Sequence, residues 1–230
     1  LAPLSAGFLL NYLSWQSVLQ LSVLPPLFVG IFLIWWWRRI PESRERAISR
    51  ADLRTMWLAW KTPLGLVVFL MAVTYTMAYV ALAAMTPLFL LREHTYSSSY
   101  TGVVFAGMLA GGALISPFFG RASDVLGRRI IVVLGLTFSG CAALVAGFAN
   151  EGIFLIGGLI IAGTFMVGIR PVILASTVEV SRGRETTALG LAFGIMDGIG
   201  ALGAVIAGTI GSNDLRLAIA FAGAMAFFSM

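Results

Sequence analysis

The sequence is poor in charge and nearly devoid of cysteine and histidine. Charged residues make up 11% of the 230 positions, whereas 59% are hydrophobic, and the mean hydropathy is +0.96. A water-soluble domain carries about a quarter charged residues, so most of this surface must face something other than water. Apolar runs of about 20 residues without alternation predict membrane-spanning helices, and hence an all-α polytopic membrane protein.

The scarce residue types also exclude several kinds of chemistry. Cys141 is the only cysteine and His94 the only histidine, so we expect no intrachain disulfide and no histidine-based metal site. No nucleophile elbow, HExxH, P-loop or paired-carboxylate pattern occurs, and we therefore expect no enzyme, no catalytic residues and no cofactor. The net charge of +5 resides in short loops, which argues against a nucleic-acid partner.

Eight apolar stretches predict eight helices, six of them long enough to cross a bilayer. We expect a tilt or kink near Pro87 and a bend at Pro25 and Pro26. The first and last stretches look shortened, which suggests a piece of a longer protein. The stretches are Leu1–Tyr12, Val18–Trp37, Leu64–Leu91, Tyr100–Phe119, Ile130–Ala149, Ile153–Thr177, Ala188–Ile210 and Leu217–Met230.

The basic residues fall in alternate connections. Loops 38–61, 120–129 and 178–187 hold twelve Lys and Arg residues, whereas the intervening loops hold Arg92 and Arg216. The positive-inside rule places the three basic loops in the cytoplasm. We expect the protein to lie in the cell membrane. Loop 38–61 has an apolar helical face, which predicts either a helix on the membrane surface or an extension of the next span.

A charged decapeptide, GRASDVLGRR, begins at Gly120 between two apolar runs. We expect a tight turn there, in which Gly120 and Gly127 allow close packing or a positive φ. Asp124 would accept hydrogen bonds from the amides at a neighbouring helix N-terminus, and Arg128 and Arg129 would meet carboxylates or lipid headgroups. An ordinary positive-inside turn is the alternative, but it requires neither the aspartate nor the spaced glycines.

The decapeptide resembles the Gly-x-x-x-Asp-x-x-Gly-Arg-Lys/Arg motif of the major facilitator superfamily of secondary transporters. Three further stretches are similar to motifs of that family at matching places along the chain. They are EVSRGRETTALG with Glu179, Arg182 and Gly183, PES at Pro41–Ser43, and APLSAG, where Pro3 and Gly7 match a signature of antiporter branches.

The resemblance implies two six-helix bundles around a cavity that opens alternately to either side. Residues 1–37 would be the end of the first bundle, 38–61 a central cytoplasmic loop and 62–230 the second bundle. The family further implies that charged motifs latch the bundles at the cytoplasmic side. We expect Asp124, Arg128, Glu179 and Arg182 to form that gate.

Two ionisable residues lie well inside apolar stretches. Asp197 lies roughly 14 Å and Arg170 roughly 10 Å from the cytoplasmic helix ends, at 1.5 Å per residue. Charges at such depth normally face a cavity or a partner. We expect Arg170 to hold an anionic substrate group and Asp197 to exchange the coupling proton, because a carboxylate away from water binds a proton more readily. Snorkelling of Arg170, or a structural pair of the two residues, is the alternative.

Several uncharged residues complete the candidates. Tyr75 and Tyr79 share a helix face and could line the cavity or simply pack. The Gly107–Gly111 spacing and the series Gly190, Gly194 and Gly198 predict close helix approach.

The sequence therefore predicts a secondary transporter, monomeric and proton-coupled, that moves a small organic solute through the lipid bilayer. Two alternatives remain open: drug or metabolite efflux by proton antiport, and a transporter-like protein that moves no solute. Neither the solute nor the choice between symport and antiport follows from these residues.

Overall fold

A computed structural model describes residues 2–37, 62–180 and 185–230, and all its regular secondary structure there is helical. The predicted loop 38–61, with its membrane-surface helix and Pro41–Ser43, and the motif residues Arg182 and Gly183 lie outside these ranges. The helices are α1 (Ala2–Leu9), α2 (Trp15–Trp37), α3 (Pro63–Leu88), α4 (Ser98–Leu126), α5 (Arg128–Phe148), α6 (Ile153–Val180), α7 (Glu185–Gly211) and α8 (Leu215–Phe228).

Six of the described helices are long and apolar enough to span a membrane, which confirms the predicted number. They are α2 to α7, and α8 is apolar but shorter. Helices α3 to α8 form one bundle in which α6 packs against α3, α4 and α5, while α3 also packs against α7 and α8. Helix α1 lies on α4, and α2 is exposed along nearly all its length. The residues buried in the bundle include Leu82, Leu136 and Ile173.

Small residues set the distance between α4 and α6. A Cβ atom on Gly111 would collide with Thr164, and one on Gly107 would lie 3.6 Å from Ile160. Lipid tails are as apolar as the helices, so helices associate in a membrane through close packing. The predicted role of the Gly107–Gly111 spacing is thus confirmed.

The glycine series of α7 differs from the Gly107–Gly111 spacing. A Cβ atom added to Gly190, Gly194 or Gly198 would have no neighbour within 4 Å among the described residues, so their role in close packing stays a prediction. The helix contacts α3 through Gly200, which faces Thr76, and through Gly203, which faces the backbone of Met77. Gly190, Gly194 and Gly198 are exposed together with Asp197, on what is here called the open face of α7.

The charged decapeptide is not the loop that its composition predicts. Helix α4 continues to Leu126 and α5 begins at Arg128, so Gly127 alone makes the turn, with φ at +92°. This confirms the predicted positive φ at Gly127, a conformation that glycine adopts without steric cost. Gly120 is helical and has no close described neighbour. The N-terminus of α5 has no side-chain cap, so Asp124 does not cap that helix, and its predicted contact with another helix N-terminus stays a prediction.

The prolines of α3 and α2 differ in whether an irregular turn follows them. Pro87 near the end of α3 is followed by a π-helical turn at Phe89–Glu93, which is where an irregularity was predicted. Helix α2 runs from Trp15 to Trp37 as one element through Pro25 and Pro26. The π turn continues α3 by five residues, Phe89–Glu93. Its last residue, Glu93, lies close to Arg216 at the start of α8.

Two glycines of α7 provide a matched test of this packing. Gly203→Ala would place a methyl group 2.6 Å from the Cα atom of Met77, and we expect it to destabilise the protein by about 1–3 kcal/mol. Gly194→Ala, on the open face of the same helix, should be neutral or stabilise by up to about 1 kcal/mol through helix propensity. Thermal unfolding in detergent measures both, and equal effects would contradict the described α3–α7 contact.

Candidate functional site

An ion pair lies inside the membrane-spanning part of the bundle. Arg170 on α6 and Asp197 on α7 approach to 3.4 Å between Nη2 and Oδ1, with their side chains 32% and 56% exposed. An unpaired charge in mid-membrane costs about 2.5–3.5 kcal/mol or more, which explains why the two charges occur together. Charge-assisted hydrogen bonds are usually about 2.7–2.9 Å long. The pair is therefore loose and partly open.

Two aromatic rings flank the arginine. The Cζ atom of Arg170 lies 5.7 Å from the ring centre of Tyr79 on α3 and 5.8 Å from that of Phe193 on α7. Both distances suit cation–π attraction. Phe193 was not predicted from the sequence, although it precedes Asp197 by four residues and so shares its helix face. The site thus combines a guanidinium group, a carboxyl group and two aromatic rings drawn from three helices.

Tyr75 is buried, whereas Tyr79, with which it was predicted to share a helix face, is partly buried. Its side chain is 1% exposed, and its hydroxyl donates a 2.6 Å hydrogen bond to the carbonyl oxygen of Met166. Its ring stacks on that of Tyr79, with centres 6.4 Å apart. Tyr75 therefore connects α3 to α6 through its hydrogen bond and packs against the ring of Tyr79. Of the two tyrosines, only Tyr79 has its ring next to the guanidinium of Arg170.

The end of the bundle that carries Gly127, here called the basic end, holds a second ion pair. Arg128 and Glu179 approach to 2.8 Å between Nη2 and Oε1 and join the start of α5 to the end of α6. Two of the four predicted gate residues are thus brought together. Asp124 and Arg129 are exposed, and neither forms an ion pair with another described residue.

The opposite end of the bundle has its own polar cluster, which was not predicted from the sequence. The Nε atom of Arg216 lies 3.6 Å from Oε1 of Glu93, and its Nη1 donates to Oδ1 of Asn150 at 3.2 Å. Asp214 accepts the backbone N–H of Arg216 and caps α8. One arginine therefore ties together three connections of the bundle, and its isolation in a loop with few other charges was the available sequence signal.

His94 lies beside this cluster, directly after the π turn. Its ring meets Phe89 edge-on at 4.8 Å, and its Nε2 atom is buried without a described partner. Burial, and then the positive charge of Arg216, lower the pKa of His94, against smaller opposing effects of Glu93 and Glu151. The folded protein thus favours the neutral imidazole.

Comparison with known proteins identifies the class. The family model described as Major Facilitator Superfamily matches residues 67–230, which is most of the chain and all of α4 to α8. The chain belongs to this superfamily and is a multi-pass membrane protein, as the decapeptide and its companion motifs predicted.

One relative with an assigned function matches part of the chain. A protein of Mycolicibacterium smegmatis (strain ATCC 700084 / mc(2)155), named as a triacylglyceride transporter, is 29% identical over 106 residues. The match covers 45% of this chain and 18% of that protein. The chain thus spans less than a fifth of the relative's length.

The polar cluster around His94 predicts a pH dependence of stability. A histidine with a lowered pKa in the folded state stabilises the fold above its unfolded pKa of about 6.5, and that contribution is lost as the pH falls through the folded pKa. We expect the thermal midpoint of the wild type to fall as the pH is lowered from 7.5 towards 5, and His94→Gln to remove part of that slope. Identical slopes in the two proteins would contradict the lowered pKa of His94 in the folded state.

Proposed function

We propose that the protein is a proton-coupled secondary transporter for a small organic anion, which works as a monomer by alternating access in the cell membrane. The ion pair of Arg170 and Asp197 carries the proposal. It lies at a depth where charges are rare and usually functional, and it borders the open face of α7. The basic end of the bundle would lie in the cytoplasm.

Arg170 supports an anionic solute. A guanidinium has five N–H donors in a planar fork that suits carboxylate, sulfonate and phosphate groups, and Asp197 takes up one of them at a long distance. The partly buried Tyr79 and the exposed Phe193 add apolar surface next to the charge. Together they favour an anion with an apolar body over a sugar or an inorganic ion.

Asp197 supports proton coupling. The other acidic residues of the described helices lie at or near helix ends, whereas Asp197 lies in the middle of α7. More than half of its side chain is exposed among the described residues, which supports access of a proton to the carboxylate. A carboxylate in such a position exchanges protons without the help of a metal or cofactor.

A neutral, lipid-like solute moved outward by proton antiport is a second candidate. The name of the mycobacterial relative favours it, and so does the partial antiporter signature at Pro3 and Gly7. Such a solute would give Arg170 no carboxylate to bind, so the charge of the transported solute distinguishes the two candidates.

Flux measurements with Arg170→Ala test the proposal. The full-length protein in liposomes with an imposed pH gradient should transport labelled p-toluenesulfonate in preference to benzyltrimethylammonium, which has a similar ring and the opposite charge. Loss of a charge-assisted hydrogen bond of about 1.5–3 kcal/mol should lower anion flux about 10- to 100-fold in Arg170→Ala. The exposed Arg92, at the opposite end of the bundle, provides the control Arg92→Ala, which should transport normally.

Other flux patterns would lead to different conclusions. Cation or lipid transport that survives Arg170→Ala would favour the second candidate and reduce Arg170 to a structural residue. If no solute moves in the wild type, the protein would be a transporter-like protein without transport activity, and the proposal would be wrong.

We further propose that the charged motif at the basic end controls the opening of that end. The pair of Arg128 and Glu179 supports this. Asp124, Arg129 and Arg182 would add charged contacts between the bundles, and Gly120 and Gly127 would shape the helical hairpin that carries them.

Accessibility of the open α7 face tests the gate. A cysteine at Gly194, in a Cys141→Ser background, should react faster with an impermeant maleimide from the basic side in Asp124→Asn and in Glu179→Gln than in the parent. Glu93→Gln, which breaks the ion pair at the opposite end, should increase labelling from the other side. Unchanged labelling in both motif variants would reduce the motif to an ordinary positive-inside turn.

A further inference from the structure

We infer that Tyr75 is a positioning residue of the solute site: it holds the ring of Tyr79 against Arg170 and thereby fixes the direction of the guanidinium. The inference rests on the proposed function, in which Arg170 binds the anion. It goes further because it assigns a role to a buried residue whose hydroxyl is bonded to Met166.

Four residues of α3 and α6 form a closed circuit of contacts. Tyr75 and Tyr79 lie one turn apart on α3, and Met166 and Arg170 lie one turn apart on α6, so each pair shares a helix face. The hydroxyl of Tyr75 donates to the carbonyl of Met166 at 2.6 Å, and the ring of Tyr79 lies 5.7 Å from Cζ of Arg170. The two tyrosine rings are stacked, with 12° between their planes. The facing turns are thus linked twice, once at Met166 and once at Arg170.

The hydroxyl of Tyr75 is the group that gives this circuit a fixed geometry. A phenylalanine would fill nearly the same space, and a hydroxyl in apolar surroundings is unfavourable unless it is hydrogen-bonded. The side chain is 1% exposed, so the bond to Met166 satisfies a group that the interior would otherwise disfavour. It holds the ring of Tyr75 at one distance from α6, and the stacked ring of Tyr79 with it.

The bond from Tyr75 also anchors α6 next to a weak place in its backbone. In a regular α-helix the carbonyl of Met166 accepts the backbone N–H of Arg170, four residues later. The next residue, Pro171, lies inside α6 and has no N–H for the carbonyl of Val167. The helix therefore lacks one of its own hydrogen bonds directly beside Arg170. The hydroxyl of Tyr75 holds the turn from which the arginine side chain extends.

A fixed guanidinium binds an anion more tightly than a mobile one. Arginine has a long side chain that loses rotamer freedom when it binds, and a direction fixed beforehand lowers that cost. The rings of Tyr79 and Phe193 provide the fixed surroundings. Loss of the Tyr75 hydroxyl should therefore weaken anion affinity more than it lowers the maximal rate of transport.

Ser139 on α5 provides a matched control. Its hydroxyl is fully buried and donates to the carbonyl of Ala162 on α6 at 2.9 Å, one turn before Met166. Serine has no ring to extend this contact towards Arg170. Tyr75→Phe and Ser139→Ala thus each remove one buried hydroxyl bonded to α6, and their thermal midpoints in detergent should fall by similar amounts.

The KM for p-toluenesulfonate separates positioning from stability. In liposomes that contain the full-length protein, Tyr75→Phe should raise the KM about 3- to 10-fold, the size of one net hydrogen bond, at a nearly unchanged maximal rate. Ser139→Ala should leave the KM unchanged. In a Tyr79→Leu background Tyr75→Phe should raise the KM no further, because the ring that connects it to Arg170 is absent.

Modification of Arg170 by phenylglyoxal provides a readout that needs no transported solute. The reagent reacts with guanidinium groups and enters membranes as a neutral molecule, and mass spectrometry of the peptide that contains Arg170 follows this residue alone. A guanidinium released from the ring of Tyr79 should react faster. We expect about 3- to 10-fold faster modification in Tyr75→Phe than in the wild type or in Ser139→Ala.

The outcomes distinguish the inference from the proposed function. Equal KM values, or equal modification rates of Arg170, in Tyr75→Phe and Ser139→Ala would overturn the inference and leave anion transport intact. A further rise of the KM in the Tyr79→Leu background would overturn the route through Tyr79, and the inference with it. If the wild type moves no p-toluenesulfonate, the proposed function fails, and the modification rates alone decide whether Tyr75 positions Arg170.

Discussion

Hydrocarbon surroundings are the constraint on which the rest of this structure depends. Apolar helices gain little from one another that lipid tails would not also provide, so the bundle is held together by close fit and by a few polar contacts. Gly111 against Thr164 and Gly203 against Met77 provide the fit. The hydroxyl of Tyr75 on the Met166 carbonyl provides a polar contact in the interior. For the same reason the two charges at mid-depth occur as a pair.

The family, the number of spans and their all-helical nature could be predicted from the sequence because each depends on a strong, one-dimensional signal. Twenty apolar residues in a row leave the backbone only one way to satisfy its hydrogen bonds in lipid. The motif beginning at Gly120 identified the family. Its local structure was predicted less well, because charge indicated a loop where α4 remains helical up to Leu126. Composition reports where a segment meets water, and a helix can extend beyond that point.

The site could be predicted in part for a similar reason. An ionisable residue in an apolar run is conspicuous, so Arg170 and Asp197 were found, and the structure adds that they face each other. Phe193 is one aromatic residue among many, and only its position over the guanidinium distinguishes it. Which glycines of α7 make contact depends on the rotation of that helix against α3, a three-dimensional quantity that spacing alone does not fix. The same rotation leaves Asp197 on the open side.

The single-residue turn at Gly127 has a mechanical consequence. Adjacent Cα atoms are only about 3.8 Å apart, so a one-residue connection keeps the ends of α4 and α5 together. The φ and ψ angles of Gly127 can still change, because glycine has no Cβ atom. Helix α4 carries α1 on its surface, and α5 begins with the arginine that is bound to α6. A change in the angle between α4 and α5 would therefore be taken up at Gly127, which is placed to serve as a hinge between these two contacts.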